Sequence, residues 1–417
     1  MAQLSKDSFS AGDALMPVGA AVALLFDRVS CVEGVEALRL NEAEGRILAR
    51  ALTAPIDLPA FDNSAVDGYA VRFCDLSPGV ETCLPVEGRA AAGHATEGGG
   101  AGKAVRIFTG AAMPEGLDTV FMQEDCRLLP GDLASLPPGL AKGANRRLRG
   151  EDISAGAQAL AAGRRLRPED LGLAAALGVD RLTVRRRLKA AIFSTGDEIL
   201  EPGTPMRPAG VYDANRFVLH GLLKRQGVEV TDLGVLADNQ GEIAAALRSA
   251  AADHDLVLTS GGVSAGEEDH VKAAISNSGS LVFWRLGIKP GRPVAMGVIE
   301  GTPFVGLPGN PVAVFVTFVY VVRPLIAALS GAQHEPARPL PVTSGFEYRK
   351  KTGRREYVRV TLRAGAAGEA IAEKHPVEGA GVLTSLTRTH GFVELGEDVT
   401  RIAAGDKVAY IDYDMIR

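Results

Sequence analysis

The sequence is poor in the residues that would make an obvious metal or redox centre. Its four cysteines, Cys31, Cys74, Cys83 and Cys126, form no CxxC pair and no zinc-like spacing. Reduced, structural thiols in a cytosolic protein are the expectation. The seven histidines are scattered, with no HExxH and no Ser-His-Asp logic, which argues against zinc-protease and serine-hydrolase chemistry. No GxxxxGK[ST] occurs and no GxGxxG follows a strand, so P-loop and dinucleotide-fold readings fall away. The most apolar run, Val312–Val322, is too short to span a bilayer and leads into Arg323 and Pro324; it reads as a buried helix. The opening residues, MAQLSKDSFSAGDALMP, lack the apolar stretch of a secretory signal. Net positive charge is also missing: 45 Lys+Arg against 50 Asp+Glu leave −5. No overall field draws nucleic acid or an anionic membrane, so any anion site must be local.

What is present is an ordinary globular composition, 46% hydrophobic and 23% charged over 417 residues. That length is too great for one core and points to about two to four domains. Val18–Val29 is apolar at helical spacing, and Glu36–Ala49 continues that pattern until Pro55 and Pro59 end it. Between 61 and 145, short apolar stretches alternate with Gly, Pro and Ala, the texture of a small β-rich domain. The segment 146–188 is basic and then helical, with Pro168, Glu169 and Asp170 suited to a first helical turn. Packed back on residues 1–60, it would leave 61–145 as an insertion. From 189 to 331 apolar strands alternate with amphipathic helices, which predicts a parallel sheet covered on both faces, with ligand sites at the strands' carboxyl ends. Residues 332–417 return to short strands and Gly-rich turns, as in a small β-barrel.

Three loops of the α/β segment could carry chemistry. Ser194-Thr195-Gly196-Asp197-Glu198 follows a strand at once, and its glycine lets a ligand approach the backbone. Taken alone, a helix cap with first-turn acids explains that loop slightly better. The second runs through Gly261, Gly262 and Ser264 into Glu267-Glu268-Asp269. Exposed amides before a helix favour an anion, and the adjoining acids would need a divalent cation such as Mg²⁺ beside a phosphate. The third is Gly306-Leu307-Pro308-Gly309-Asn310-Pro311, where Asn310 is placed to cap and Pro311 to open a helix. Arg285, Lys289 and Arg292 lie in a Gly/Pro-stiffened loop between two strands and could clamp an oxyanion, or simply be solvated. Outside this segment, turn chemistry accounts for most of Asp62–Tyr69. Arg146–Asp152 reads either as a salt-bridged face or as a second phosphate contact.

Eight segments stand in the order and spacing of one family: DLPAFDNSAVDGYAVR (57–72), RIFTGAAMPEGLDTVFMQED (106–125), RRLRGEDI (146–153), FSTGDEI (193–199), YDANR (212–216), SGGVSAGEEDHVK (260–272), KPGRP (289–293) and GLPGNPV (306–312). Over nearly its whole length the chain resembles the MoeA family, which the E domain of gephyrin also represents. The resemblance implies a multidomain α/β plus β protein: an elongated helical linker domain (1–60 and 146–188), an inserted small β domain (61–145), a central parallel-sheet α/β domain that binds molybdopterin (189–331) and a C-terminal β-barrel (332–417). It implies a cytoplasmic, homodimeric molybdopterin molybdenumtransferase with its cleft shared between subunits. Such enzymes take adenylated molybdopterin and molybdate, insert the metal and release AMP, with Mg²⁺ assisting. The supplying adenylyltransferase and downstream molybdoenzymes are further candidate partners; nucleic acid and membrane are not expected.

Carried over position by position, the resemblance makes Glu198, Asp238 and Asp269 functional acids and Mg²⁺ ligands. Asp67 and Asp152 join them as catalytic candidates. Thr109 and Arg147, like Asp67 and Asp152, would face the partner subunit's cleft. Ser194, Thr195, Gly196, Gly261, Gly262 and Ser264 would line the substrate site. Arg285 and Lys289 match basic positions near the pterin phosphate or molybdate, Pro308, Gly309 and Pro311 shape a loop, and Arg359 is implied in holding molybdate, with Ser385 a lesser candidate. Two residues depart from the pattern: Arg285 stands where Lys is more frequent, and Ala380 where Ser is common. A molybdopterin adenylyltransferase and a non-enzymatic scaffold are the alternative functions. The extra domains weigh against the first, and the lack of a disordered linker against the second.

Overall fold

The structure is a computed structural model and describes residues 15–94, 99–261, 270–275, 279–291 and 293–416. Gly262, Ser264, Asp269 and Arg292 lie outside the described residues.

The α/β segment supplies six strands: β1 (Lys189–Thr195), β2 (Glu229–Leu236), β3 (Leu256–Ser260), β4 (Gly279–Arg285), β5 (Pro293–Ile299) and β6 (Thr302–Leu307). They form one sheet in the order β2-β1-β3-β6-β5-β4. β2, β1, β3 and β6 pair parallel, whereas β5 is antiparallel to both β6 and β4. Five strands therefore point one way, and β5 alone is reversed. This corrects the all-parallel expectation. A parallel return needs a crossover of a dozen or so residues. Only Glu300 and Gly301, both at positive φ, separate β5 from β6.

Along β1 the side chains alternate between two cores. Ala190 and Ile192 face the helices Asn215–Arg225 and Pro311–Ser330. Ala191 and Phe193 face Gln240–Asp253 and His270–Ile275. Helix Pro311–Ser330 is long and apolar enough to cross a membrane, but 83% of its most apolar window is buried within the protein. Its hydrogen bonds widen to a π register over Phe318–Val322. Pro324, just beyond, has no N–H, and its ring excludes the carbonyl four residues earlier.

Val18–Arg28 is a helix, as its spacing predicts, with Val18, Ala21 and Leu25 buried. That face packs on Arg323–Ser330 and shares the core of the α/β sheet. Glu36–Ala49 is not a helix. Val35–Arg39 is a strand antiparallel to Arg181–Arg185, and a short 3₁₀ turn over Leu40–Glu42 follows. Here a tertiary partner overrides helical periodicity, and Gly45 at φ 71° stands where a helix interior would be required. Two further antiparallel pairs, Leu52–Thr53 with Gln158–Leu160 and Asn63–Ser64 with Arg146–Arg147, extend this pairing into a ladder. The helix opened by Pro168 runs to Ala176 and packs beside the ladder.

At the far end of the ladder, Gly68–Val71, Thr82–Ala90, Ala104–Ile107, Thr119–Met122, Arg127–Leu129 and Leu133–Leu136 make a six-stranded sheet. In the C-terminal part, Leu340–Ser344, Arg355–Ala364, Ala370–Lys374, Gly391–Leu395 and Lys407–Asp412 close into a five-stranded barrel through the pairing of Arg355–Ala364 with Gly391–Leu395. Ile288–Lys289, from the β4–β5 loop, pairs parallel to Arg355 and Glu356 on this barrel.

Candidate active site

Strand register brings the α/β loops to one edge. Ser194 is level with Ser260 and Val235, Thr195 with Leu236, and Ser260 with Leu307. The loops bearing Glu198, Asp238, Gly261 and Pro308 therefore leave the sheet side by side. β4 runs in the same direction as these strands, so exposed Arg285 at its end reaches the same edge.

Helix capping does not explain the first loop. No helix follows Thr195: Ile199–Leu200 pairs with Val211–Tyr212, and the next helix begins at Asn215. Gly196 sits at φ 140°, and a Cβ there would lie 2.7 Å from Glu198 Oε2. The carboxylate is thus folded against a backbone that only glycine permits. Ser194 and Thr195 are each 1% exposed, yet neither hydroxyl has a hydrogen-bond partner among the described residues. An unsatisfied buried hydroxyl costs about 1–3 kcal/mol. Two together at strand ends mark a place where a ligand's polar atoms fit.

Asp238 directly precedes Asn239, whose Oδ1 caps the next helix by accepting from Gly241 and Glu242 amides at 2.9 and 3.1 Å. Asp238 itself is left to the edge. Pro308 and Gly309 are tied to their neighbours. Ser260 Oγ donates to the Pro308 carbonyl at 3.3 Å, and Asn215 Nδ2 donates to the Gly309 carbonyl at 2.7 Å. Pro311 opens its helix as expected, but Asn310 occupies the cap position without a side-chain cap bond. Among the described residues, no three His, Cys, Asp or Glu side chains are grouped to hold a metal ion. Glu198 and Asp238 do not make such a group by themselves, and Asp269 lies outside the described residues.

A second set of expected residues converges between the β4–β5 loop and the barrel. Lys289, Arg359 and Ala380 line one pocket of about 270 Å³, together with Tyr348, Lys374 and Glu378. Lys289 Nζ lies 3.2 Å from Glu356 Oε2 and 3.3 Å from Tyr348 Oη. Glu356 is buried and also accepts from Tyr348 and Arg354. Arg359 is 8% exposed. Among the described residues its guanidinium has one hydrogen bond, to the Gly379 carbonyl, its Nε has no partner, and no carboxylate lies within ion-pair distance. Burial pulls its guanidinium below the ordinary value, opposed by Tyr413, Tyr348 and Glu378. The Ala380 carbonyl accepts from Val312 N at 2.9 Å, so this pocket adjoins the GLPGNP turn.

The remaining candidates sit on the inserted sheet and the ladder. Asp67 accepts from Thr109 N at 2.8 Å and Thr109 Oγ1 at 2.7 Å, and these bonds hold its carboxyl below the usual range. Arg147 pairs with Glu151, Arg146 with Asp62 and Arg149 with Asp57. Salt bridges do form across 146–152. Asp152 donates its amide to the Leu58 carbonyl and remains exposed. Ser385 is buried, with its hydroxyl donating to the Val382 carbonyl.

Sequence reasoning missed Glu356, Tyr348, Lys374 and Glu378. A signal for Glu356 existed: in EYVRV it shares a strand face with Val358 and Val360, so a carboxylate stands in an apolar register.

Known proteins match this arrangement from end to end. Family models fit three consecutive stretches: "MoeA N-terminal region (domain I and II)" over residues 16–178, "Probable molybdopterin binding domain" over 191–328 and "MoeA C-terminal region (domain IV)" over 341–413. The molybdopterin molybdenumtransferase of Haemophilus influenzae is 39% identical over 375 residues, 89% of this chain and 92% of that one. Its namesake from Nostoc is 34% identical over 397 residues, 92% and 90% of the two chains. The crystal structure of the molybdopterin biosynthesis MoeA protein from Pyrococcus horikoshii covers 96% of this chain at a TM-score of 0.80 and 30% identity. With the mixed α/β sheet, the barrel and the inserted sheet all accounted for by those matches, the chain belongs to the MoeA family.

Proposed function

We propose that the protein is a molybdopterin molybdenumtransferase of molybdenum cofactor biosynthesis, inserting molybdate into adenylated molybdopterin with release of AMP. The observation that carries this reading is the Lys289–Arg359 pocket, which offers a nearly buried guanidinium with no carboxylate partner beside an ammonium. Molybdate is a tetrahedral dianion, and forked and point-like cationic donors suit it. The sheet edge supplies the complementary half. Glu198 and Asp238 offer hard carboxylate oxygens, Gly196 and Gly261 let a ligand approach the backbone, and the Ser194 and Thr195 hydroxyls lack partners.

Mg²⁺ suits this donor set, because it is held by one or two carboxylates and completes its shell with water and substrate phosphate. Bound there, it would neutralise phosphate charge as AMP leaves. Glu198 and Asp238 would hold it, with Asp269 the third acid of the proposal. Lys289 and Arg359 orient the oxyanion, and Arg285 adds positive charge at the edge. Asp67, Thr109, Arg147 and Asp152 contribute from a partner subunit in a cytoplasmic homodimer.

The test is AMP release from pre-adenylated molybdopterin with and without molybdate. Release that depends on molybdate supports insertion. Accumulation of adenylate from molybdopterin and Mg-ATP would replace the proposal with adenylyl transfer. Glu198→Gln should lower molybdate-dependent release by on the order of 10²-fold, the scale of one electrostatic contact at a reacting centre. A wild-type rate in that variant removes the acid from the mechanism.

A further inference from the structure

Outside the candidate active site, four arginines gather around one cavity. Arg165 and Arg167 come from the returning arm of the ladder, Arg225 from the last turn of helix Asn215–Arg225, and Arg323 from within helix Pro311–Ser330. The cavity is about 200 Å³, and Glu335 is its one acidic lining residue. It shares no lining residue with the Lys289–Arg359 pocket. In a chain of net charge −5, such a local excess of cations is not a by-product of composition.

Among the described residues, the two inner arginines hydrogen-bond only to backbone carbonyls. Arg165 Nη1 donates to the Gly45 and Gln226 carbonyls at 3.0 and 3.2 Å. Arg323 Nη2 donates to the Glu335 carbonyl at 3.2 Å. Neither makes an ion pair among the described residues. Burial works against both charges: Arg165 is depressed by desolvation and then by Arg323, and Arg323 by desolvation, each opposed in part by Glu335. The two outer arginines do have carboxylates, but solvated ones. Arg167 lies 3.2 Å from Glu335 and 4.0 Å from Glu169, and Arg225 lies 3.8 Å from Asp414, with every member of these pairs more than half exposed. Such pairs are weak and easily rearranged. The remaining titratable neighbour, His334, is pushed toward its neutral form by burial and Arg323, and so does not compete for an anion.

Two half-buried guanidinium groups lacking counter-ions, flanked by two that can swing inward, make a receptor with forked donors on several sides. We infer that Arg165, Arg167, Arg225 and Arg323 form a second oxyanion site, distinct from the substrate cleft, that takes a compact phosphoryl anion. The volume admits an inorganic phosphate or diphosphate whole; a nucleotide would insert its phosphates and leave its nucleoside outside. Ligation there would join the ladder, the α/β helices and the 332–335 segment through one counter-ion.

Calorimetric titration of the full-length protein tests this with sodium orthophosphate, sodium pyrophosphate and ADP, each at ionic strength held constant with sodium chloride. Saturable pyrophosphate binding is expected, weakened at least tenfold in Arg167→Gln/Arg225→Gln, whose side chains are exposed and leave folding unaffected. Arg323→Gln should weaken it further. Lys289→Gln/Arg359→Gln should leave it unchanged. If ADP matches or exceeds pyrophosphate and shows the same loss in the arginine variants, the natural source is a nucleotide; if ADP fails, it is a free phosphate. Binding that survives in both arginine variants, disappears in Lys289→Gln/Arg359→Gln, or is absent at constant ionic strength overturns the site. AMP release is not part of this readout, so its outcome is independent of the proposed transferase activity.

Discussion

Arg359→Met should produce effects of opposite sign on binding and on stability. The guanidinium is 8% exposed, bonded only to the Gly379 carbonyl, and has an unpartnered Nε. A side chain kept for structure would not be left in that state, because a buried charge without a counter-ion opposes folding. Methionine fills a similar volume with no charge to desolvate. Removing the cost of one unsatisfied donor should stabilise the ligand-free barrel by about 1 kcal/mol, offset in part by the lost Gly379 bond. For a unit of this size that corresponds to a rise of a few degrees, roughly 2–5 °C, in the calorimetric midpoint of the transition containing the barrel. A charge-assisted hydrogen bond to an oxyanion contributes about 1.5–3 kcal/mol, so molybdate affinity should fall by roughly 10- to 150-fold. Scanning calorimetry without molybdate and equilibrium dialysis with it measure the two effects separately. A variant that is destabilised while its molybdate affinity is unchanged would refute the reasoning, since Arg359 would then be a structural residue.

Three further outcomes follow from the same geometry. Asp255, whose side chain is 3% exposed, accepts from both Arg186 terminal nitrogens at 2.7 Å and from Lys189 N at 2.9 Å. Asp255→Ala should cost about 3 kcal/mol by stranding that guanidinium, measured by denaturant unfolding. Burial alone would raise the Asp255 carboxyl, but the Arg186 and Lys189 bonds outweigh it and hold the folded value below 3.8. Its stabilisation is therefore present above about pH 4 and is lost as pH falls through the folded pKa; stability of Asp255→Asn should be flatter across that window, and an equally steep acid loss would contradict the assignment. Thr109→Val should move Asp67 only part of the way up in a carboxyl NMR titration, because it removes the hydroxyl bond but keeps the amide bond that lowers the carboxyl most. Gly196→Ala places a Cβ 2.7 Å from Glu198 Oε2 at φ 140°, so it should lower turnover at least tenfold with the fold intact, and wild-type turnover would detach Glu198 from the reaction.

The parts of the fold that were legible in the sequence are those with local causes. The strand–helix alternation after 189, the Pro168 helix and the Pro311 helix all rest on periodicity and on proline at a first turn. A helix over Glu36–Ala49 is suggested by Leu40, Ala43 and Ile47 at helical spacing, while the partner strand that claims Val35–Arg39 lies near residue 183. The reversed strand β5 could have been read, since the stretch from 285 to 302 holds no room for a crossover helix. Candidate site residues were legible where a loop carried glycine and acid together, as at 194–198. Convergence of Lys289 with Arg359 was not, because it depends on Ile288–Lys289 joining the barrel at Arg355–Glu356, a pairing that no local pattern announces.

Helix Val18–Arg28 also sets a schedule for the nascent chain. Its apolar face packs against Phe318–Val322 and Arg323–Ser330, nearly 300 residues later. At roughly 5–20 residues per second, a ribosome needs on the order of 15–60 s to deliver that partner. Throughout this interval Val18, Ala21 and Leu25 have nowhere to dock, while the inserted sheet, whose strands all lie between 68 and 136, can already close on itself. The helix is thus seated hundreds of residues after it is made. Until then its apolar face stays open to chaperones and to wrong associations, so slowing synthesis should lower the yield of folded protein.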